Sequence, residues 1–261
     1  LDVRLGAGEL AYARLDARDV RLVAVQHPGR IAVEELLLTA SGARLQAAAA
    51  LTPGEGGTRI EASAALLEGE LDALRRALRI RPLPLAGPLQ ARLSIAAVGA
   101  TMNRAFHQAK VDIVVAMQGG TVARSVIEMA STNLRALFRR AEGNTRLTCL
   151  LAVIDMAALR GEVSPIRIRA ATGTVVGQGR FDLSRRTLDL VIGSQRDTTE
   201  FLALDVPVRV YGSFADPDIG LSEWSPASRG RLGAGDDVSA LPEELRSFAR
   251  ENPCYRAPRR R

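Results

Sequence analysis

The chain has 261 residues, a formal net charge of +6 and a pI near 10.2; 47% of it is hydrophobic and only 4% aromatic. That length holds one large domain or two small ones, and any core must be built from Leu, Val, Ile and Ala. The positive charge is nearly all arginine, with Lys110 the sole lysine. The arginines are scattered, apart from a run at Arg256, Arg259, Arg260 and Arg261, and scattered arginine without interleaved aromatics argues against a nucleic-acid partner.

The sequence opens Leu1-Asp2-Val3-Arg4-Leu5, already in alternation. It reads as the middle of a strand, and so as a fragment or processed chain whose upstream part is missing. Residues 1–66 continue as Leu1–Leu5, Tyr12–Leu15, Val20–Val25, Ile31–Ala40, Ala43–Leu51 and Thr58–Leu66. Asp16 and Asp19, the turn His27-Pro28-Gly29-Arg30, Gly42 and the loop Thr52–Gly57 punctuate them. In the last of these strands Ile60, Ala62, Ala64 and Leu66 fall on one face. Strands at a spacing of about 8–12 residues predict an antiparallel meander.

Glu70–Leu78 has Leu71, Leu74 and Leu78 on one side and Arg75, Arg76 and Arg79 on the other, which predicts a short helix stopped by Pro82-Leu83-Pro84. Gly87–Val98 reads as a long strand with Leu89, Ala91, Leu93, Ile95 and Ala97 on one face. A short helix over Met102–Ala109, a strand Val111–Met117 and a Gly119-Gly120 hairpin into Thr121–Ala123 follow. Ser125–Arg140 predicts the longest helix. Ser125 and Glu128 form a capping box, Ile127, Ala130, Leu134, Leu137 and Phe138 make one stripe, and Gly143 closes it.

From Asn144 to Asp218 apolar residues recur at every second position. Leu147, Cys149, Leu151 and Val153 share a face, as do Ile166, Ile168 and Ala170, then Leu188, Leu190 and Ile192, then Val206, Val208 and Val210. The strands predicted are Arg146–Ile154, Pro165–Ala171 with its return arm Val175–Leu183, Thr187–Gly193 and Val206–Phe214, with Gly161 and Glu162 at the bend before Pro165. Beyond residue 221 the composition turns to Gly, Ser, Asp and Pro, and 222–261 reads as a loosely ordered tail with one short helix at Leu241–Arg250.

No arrangement of residues points to catalysis. His27 sits in a turn beside Pro28 and His107 on a short helix beside Lys110, neither near a nucleophile motif. Gly177-x-Gly179 leads into a strand, not a helix, so it does not cradle a dinucleotide. Asp155, Asp182, Asp189, Asp197 and Asp205 lie at turns or strand rims, and no spacing singles out an acid–base pair. The expectation is a non-enzymatic protein with no metal and no cofactor. Cys149 and Cys254 form either one disulfide pinning the tail to the sheet or two unpaired thiols. No apolar run reaches the roughly 18 residues a membrane-spanning helix needs.

The string Gly177-Gln178-Gly179-Arg180-Phe181-Asp182-Leu183, a polar turn and Thr187-Leu188-Asp189-Leu190 resembles the C-terminal region of AsmA-family proteins. So do Pro207-Val208-Arg209-Val210-Tyr211-Gly212-Ser213-Phe214 with Asp216-Pro217, and the start at Thr145 and Cys149. The resemblance covers residues 1–221, as an AsmA-like β-groove domain. It implies a bridge-like lipid carrier in the periplasm. An N-terminal helix, missing here, anchors such a protein to the inner membrane, and an apolar groove leads phospholipid acyl chains toward the outer membrane. The compartment that the resemblance implies is oxidising and allows Cys149 and Cys254 to pair, with two unpaired thiols the alternative.

The predicted fold class is mainly β with a minor α+β character: a long curved antiparallel sheet with an apolar groove, capped by two helices. Those two helices span about 14 and 24 Å at 1.5 Å per residue, whereas about a dozen strands span nearly 60 Å. Part of the apolar face therefore stays open or the sheet folds over on itself. Leu93, Ile95, Leu147, Leu151, Ile166, Ile168, Leu188, Leu190, Ile192, Val208 and Val210 are the predicted groove lining. The alternative is a closed β scaffold that binds a protein partner in outer-membrane protein assembly.

Overall fold

The computed structural model describes residues 1–12, 15–79, 82–130, 143–195 and 207–258. Period-two alternation of apolar and polar residues makes one face of each strand apolar, and β-branched and small side chains pack side by side on such a pleated surface. The result is mainly β, 61% strand against 15% helix, in one large antiparallel sheet of 15 strands that does not close on itself.

The strands run β1 (Asp2–Tyr12), β2 (Leu15–His27), β3 (Arg30–Ala40), β4 (Ala43–Gly54) and β5 (Gly57–Glu68), a continuous meander. The α1 helix (Leu71–Ala77), β6 (Leu85–Ala86), β7 (Gln90–Gly99), α2 (Met102–Gln108), β8 (Lys110–Met117), β9 (Thr121–Ala123) and α3 (Arg124–Ala130) follow. Next come β10 (Asn144–Ala157), β11 (Arg160–Ala170), β12 (Gly173–Asp182), β13 (Thr187–Gln195), β14 (Val208–Ser213) and β15 (Pro217–Leu221). The α4 (Pro226–Ala234) and α5 (Glu243–Glu251) helices end the chain. Spatial order follows chain order from β1 to β5, then β7, β8 and β10 to β15; β9 bridges β10 and the two-residue β6.

Where the strand boundaries differ from the alternation, the turns explain it. The β10–β11 turn is Ala158-Leu159, both at positive φ, not the expected bend at Gly161 and Glu162. Neither residue is a usual turn-former, so the sequence carries no signal there. Ser41 and Gly42 are likewise both at positive φ, the pattern of a two-residue turn that matches strand twist. Asp19, at positive φ, sits in a register shift between Arg18 and Arg21, so β2 runs through a bulge and is not broken there. Gly119-Gly120 does not make a hairpin of β8 and β9, since β9 pairs with β6 and β10. Ser125 lies inside α3, which begins at Arg124, so it is not the cap. Leu134, Leu137 and Phe138 fall outside the described residues, as do Asp197, Asp205, Val206 and Arg259–Arg261.

Two compact units divide the chain instead of one domain over 1–221 and a tail. The first holds Leu1–Pro82, Pro88–Ile113 and Asp155–Leu159; the second holds the described residues of Leu83–Gly87, Val114–Ile154 and Arg160–Arg261. Residues 222–258 are not a loose tail. Trp224, Leu232, Val238, Leu241, Leu245, Phe248, Ala249 and Cys254 are all buried. Among the described residues, no helix is long and apolar enough to cross a membrane.

Candidate functional site

In the first unit, residues directly opposite across neighbouring strands share a face, and the registers align apolar side chains in rows. One row runs Val3, Ala24, Val33, Ala49, Ala62, Ile95, and the next Leu5, Leu22, Leu36, Ala47, Ala64, Leu93. Leu38, Leu45, Leu66 and Ala91 form a third, and Ile31, Leu51, Ile60 and Ala97 a fourth. The six strands β1–β5 and β7 thus present a face of Leu, Ile, Val and Ala about 24 Å across, at 4.8 Å per strand. The opposite face carries Gln46, Glu61, Ser63, Arg92 and Ser94.

Two short helices close the ends of this face. The α2 helix sits on the end of β7, where Gly99 is required: a Cβ there would come within 2.6 Å of the Ala105 backbone nitrogen. That contact buries Ile60, Ala97, Ala105, Ala109 and Val111 together, with Ile113 and Met156 against them. Thr101 caps α2 by accepting from the Arg104 N–H at 3.2 Å. At the other end Leu74 of α1 and Leu66 flank Gly69. Between these ends Val33, Ala49, Ala62, Leu36, Ala47, Ala64 and Leu93 stay half-buried, shielded along the sheet by their neighbours and still reaching solvent.

A charged group marks the rim of this unit. The Lys110 ammonium lies 3.4 Å from Asp112 and 3.7 Å from Asp155. Burial pushes the Asp112 carboxyl above its ordinary value, and a hydrogen bond shared with Asp155 adds to the rise, against the opposing Lys110 charge.

In the second unit Val114, Ala116, Cys149, Leu151 and Val153 are covered by Val238, Leu241, Leu245, Phe248 and Ala249. Cys149 and Cys254 are joined in a disulfide with Cα atoms 5.7 Å apart, and Asn252 Nδ2 donates to the Leu150 carbonyl at 3.0 Å. Nearby, Arg167 Nε donates to both Asp236 carboxylate oxygens, at 2.8 and 2.9 Å, with both side chains almost fully buried. The Arg256 N–H donates to Asp236 as well, at 2.8 Å. The Trp224 ring packs against Gly193; a Cβ there would meet it at 2.8 Å.

The predicted groove residues therefore separate. Leu93 and Ile95 lie on the half-open face of the first unit. Leu147 and Leu151 are 0% exposed, Leu151 beneath α5, and line no groove; Ile168 is buried too. Ile166 is half-buried. Leu188, Leu190, Ile192, Val208 and Val210 form a second half-open patch, continued onto the edge strand by Ile219, paired with Val210, and Leu221, paired with Val208. Gly177 and Gly179 lie opposite Ile192 and Leu190, whose side chains fold over the bare backbone. That is the structural use of the Gly-x-Gly string. On the reverse side Asp189 and Arg209 form a two-pronged ion pair at 2.7 and 2.8 Å, with Arg209 stacked 5.0 Å over Tyr211.

The sequence signal for the first unit's face was present in β5 and β7, but the part played by β1 to β4 was not singled out. Their rows depend on alanines and on bulges between Val33 and Leu36 that only the registers show. Among the described residues no three His, Cys, Asp or Glu side chains gather as a metal site. No protein-family model matches the chain, and neither curated proteins nor solved structures give a match.

Proposed function

We propose that the chain is a non-enzymatic lipid carrier of the bacterial periplasm, an AsmA-like piece that holds phospholipid acyl chains on the half-open face of its first unit. The observation that carries this reading is the set of three aligned rows, Val3 to Ile95, Leu5 to Leu93 and Leu38 to Ala91, which between α1 and α2 are half-buried except for the exposed Val3 and Leu5. An occupant of that surface needs methylenes and no hydrogen bonds, and each methylene removed from water contributes about 0.8 kcal/mol. The composition of the rows also separates lipid from protein as the occupant. Protein-binding surfaces are rich in Tyr, Trp and Arg anchors, and these rows hold only Leu, Ile, Val and Ala.

The motif order over 177–183, 187–190 and 207–217 supports the same family, and the Cys149–Cys254 disulfide suits an oxidising compartment. A closed scaffold is not favoured, because among the described residues the sheet does not close on itself.

Mass spectrometry of the gently purified protein tests the reading. Wild type should carry phospholipid, and Leu93→Asp should lose most of it with little change in the unfolding midpoint. Lipid-free wild type, after expression in cells with a phospholipid envelope, would overturn the proposal.

A further inference from the structure

Two neighbouring turns of the second unit hold large apolar side chains in water. Leu183, between β12 and β13, is 42% exposed, and Phe214, between β14 and β15, is 41% exposed. The Phe214 N–H donates to the Arg186 carbonyl at 2.9 Å, which ties the two turns into one platform. Asp182 fixes the first turn by accepting from the Ser184 hydroxyl and from the Arg185 N–H at 2.9 Å. The Ser213 hydroxyl fixes the second by accepting from the Ala215 N–H at 3.2 Å. Arginines flank the apolar pair. The Arg185 side chain is 75% exposed, 4.0 Å from an Asp182 that Arg160 already approaches at 3.1 Å. Arg186 is exposed at φ 55, a left-handed position of the kind that Gly29 and Gly42 fill in other turns. Glycine is unstrained there and arginine is not, so the use of this residue lies in its side chain. Asp216, on the second turn, is also exposed.

We infer that these two turns dock on the surface of an anionic phospholipid bilayer, with Leu183 and Phe214 entering the interface and Arg185 and Arg186 meeting lipid phosphates. A leucine and a phenylalanine beside unpaired cationic charge match the layering of a bilayer surface, where acyl chains lie just beneath the phosphates. An arginine stem is apolar and long enough to keep its guanidinium at the phosphate level while its turn sits lower. The backbone suits the same partner. Bare N–H groups are costly where water is scarce, and the Arg185, Phe214 and Ala215 N–H groups are all bonded within the turns. A surface that recognises an extended peptide presents such groups to its partner instead. Docking of this kind needs no lipid on the face of the first unit and stands apart from the carrier reading.

Flotation with vesicles tests it. The 261-residue chain should float with vesicles of phosphatidylethanolamine and phosphatidylglycerol. It should float less with phosphatidylcholine alone, and less in high salt, which screens the arginines. Leu183→Ser combined with Phe214→Ser should weaken partitioning about tenfold or more, through the apolar surface removed. Arg186→Gly should weaken it about fivefold, the effect of one cation near an anionic surface. The same variant should keep or raise the unfolding midpoint, because glycine relaxes the turn. Phospholipid carried by the purified protein should be the same in every variant, so docking and carriage fail separately. Wild type that stays in the lipid-free fraction overturns the docking. So does a double variant that floats as wild type does, and so does unchanged flotation of Arg186→Gly.

Discussion

The strand β5 and the strand β10 carry the same pattern and meet different fates. Ile60, Ala62, Ala64 and Leu66 alternate in one, and Leu147, Cys149, Leu151 and Val153 in the other. In the first unit the middle of that face stays half-buried; in the second, α5 and the segment around Cys254 seal it. The difference does not lie in the strands. It lies in residues 222–258, which supply a second layer in the second unit, while in the first α1 and α2 close only the ends. An apolar strand face is thus a demand for cover, and the source of cover lies about 100 residues away in sequence.

The widest gap between the two faces should appear when the same charge is placed on each. Leu151→Asp buries a carboxylate with no partner and should cost about 3–5 kcal/mol, enough to unfold the second unit in urea titrations. Leu93→Asp puts that group where it still reaches water and should cost about 1 kcal/mol. Equal losses would mean that the first unit's face is as sealed as the second's.

Removing the staples of the second layer comes next. Replacing Cys149 and Cys254 together by Ser opens a loop of 105 residues, worth up to about 4–5 kcal/mol in the chain-entropy model and about 2–5 when a native disulfide is removed. Asp236→Ala leaves the Arg167 guanidinium buried without its carboxylate, at about 3 kcal/mol. Hydrogen exchange should show both losses in the amides of β10 to β12 and leave β3 to β5 as protected as before. Loss of protection across the first unit would show that the segment supports the whole sheet.

How much of this was legible follows from the range of each interaction. Alternation within a strand is local, so the faces of β5, β7, β10 and β13 were readable residue by residue. So was α1, through the spacing of Leu71 and Leu74; α2 and α5 fall within the expected Met102–Ala109 and, to within a residue, Leu241–Arg250, and the Thr101 cap and the Pro242 that precedes α5 come from the structure. The Gly, Ser and Asp residues of 222–258 suggest disorder, while the order of that segment comes from contacts that composition does not reveal: Trp224 on Gly193, Asp236 with Arg167, Cys254 with Cys149. For the same reason Leu147 and Leu151 were assigned to a groove. Their alternation says that they face something apolar and not whether it is a helix of the same chain. The short edge strand β15 begins with Pro217, a residue that argues against a strand everywhere except at an edge.

The smallest effect separates the units by the sign of their pH dependence. In the second unit Asp182 accepts hydrogen bonds from the Ser184 hydroxyl and the Arg185 N–H and faces Arg160, which lowers its carboxyl to about 2. A depressed folded value contributes stability above the ordinary value of 3.8, and that stability is lost as pH falls from about 4 toward 2. In the first unit Asp112 is raised, chiefly by burial. Its protonated form is favoured by folding, so its contribution is full at low pH and declines as pH rises above 3.8. Unfolding midpoints followed from pH 2 to 7 should therefore change slope in opposite directions in the two substitutions. Asp182→Asn should remove part of the loss of stability toward acid, and Asp112→Asn part of the loss toward neutral pH. If Asp112→Asn leaves the profile unchanged, the carboxyl beside Lys110 and Asp155 is solvated as freely as in the unfolded chain.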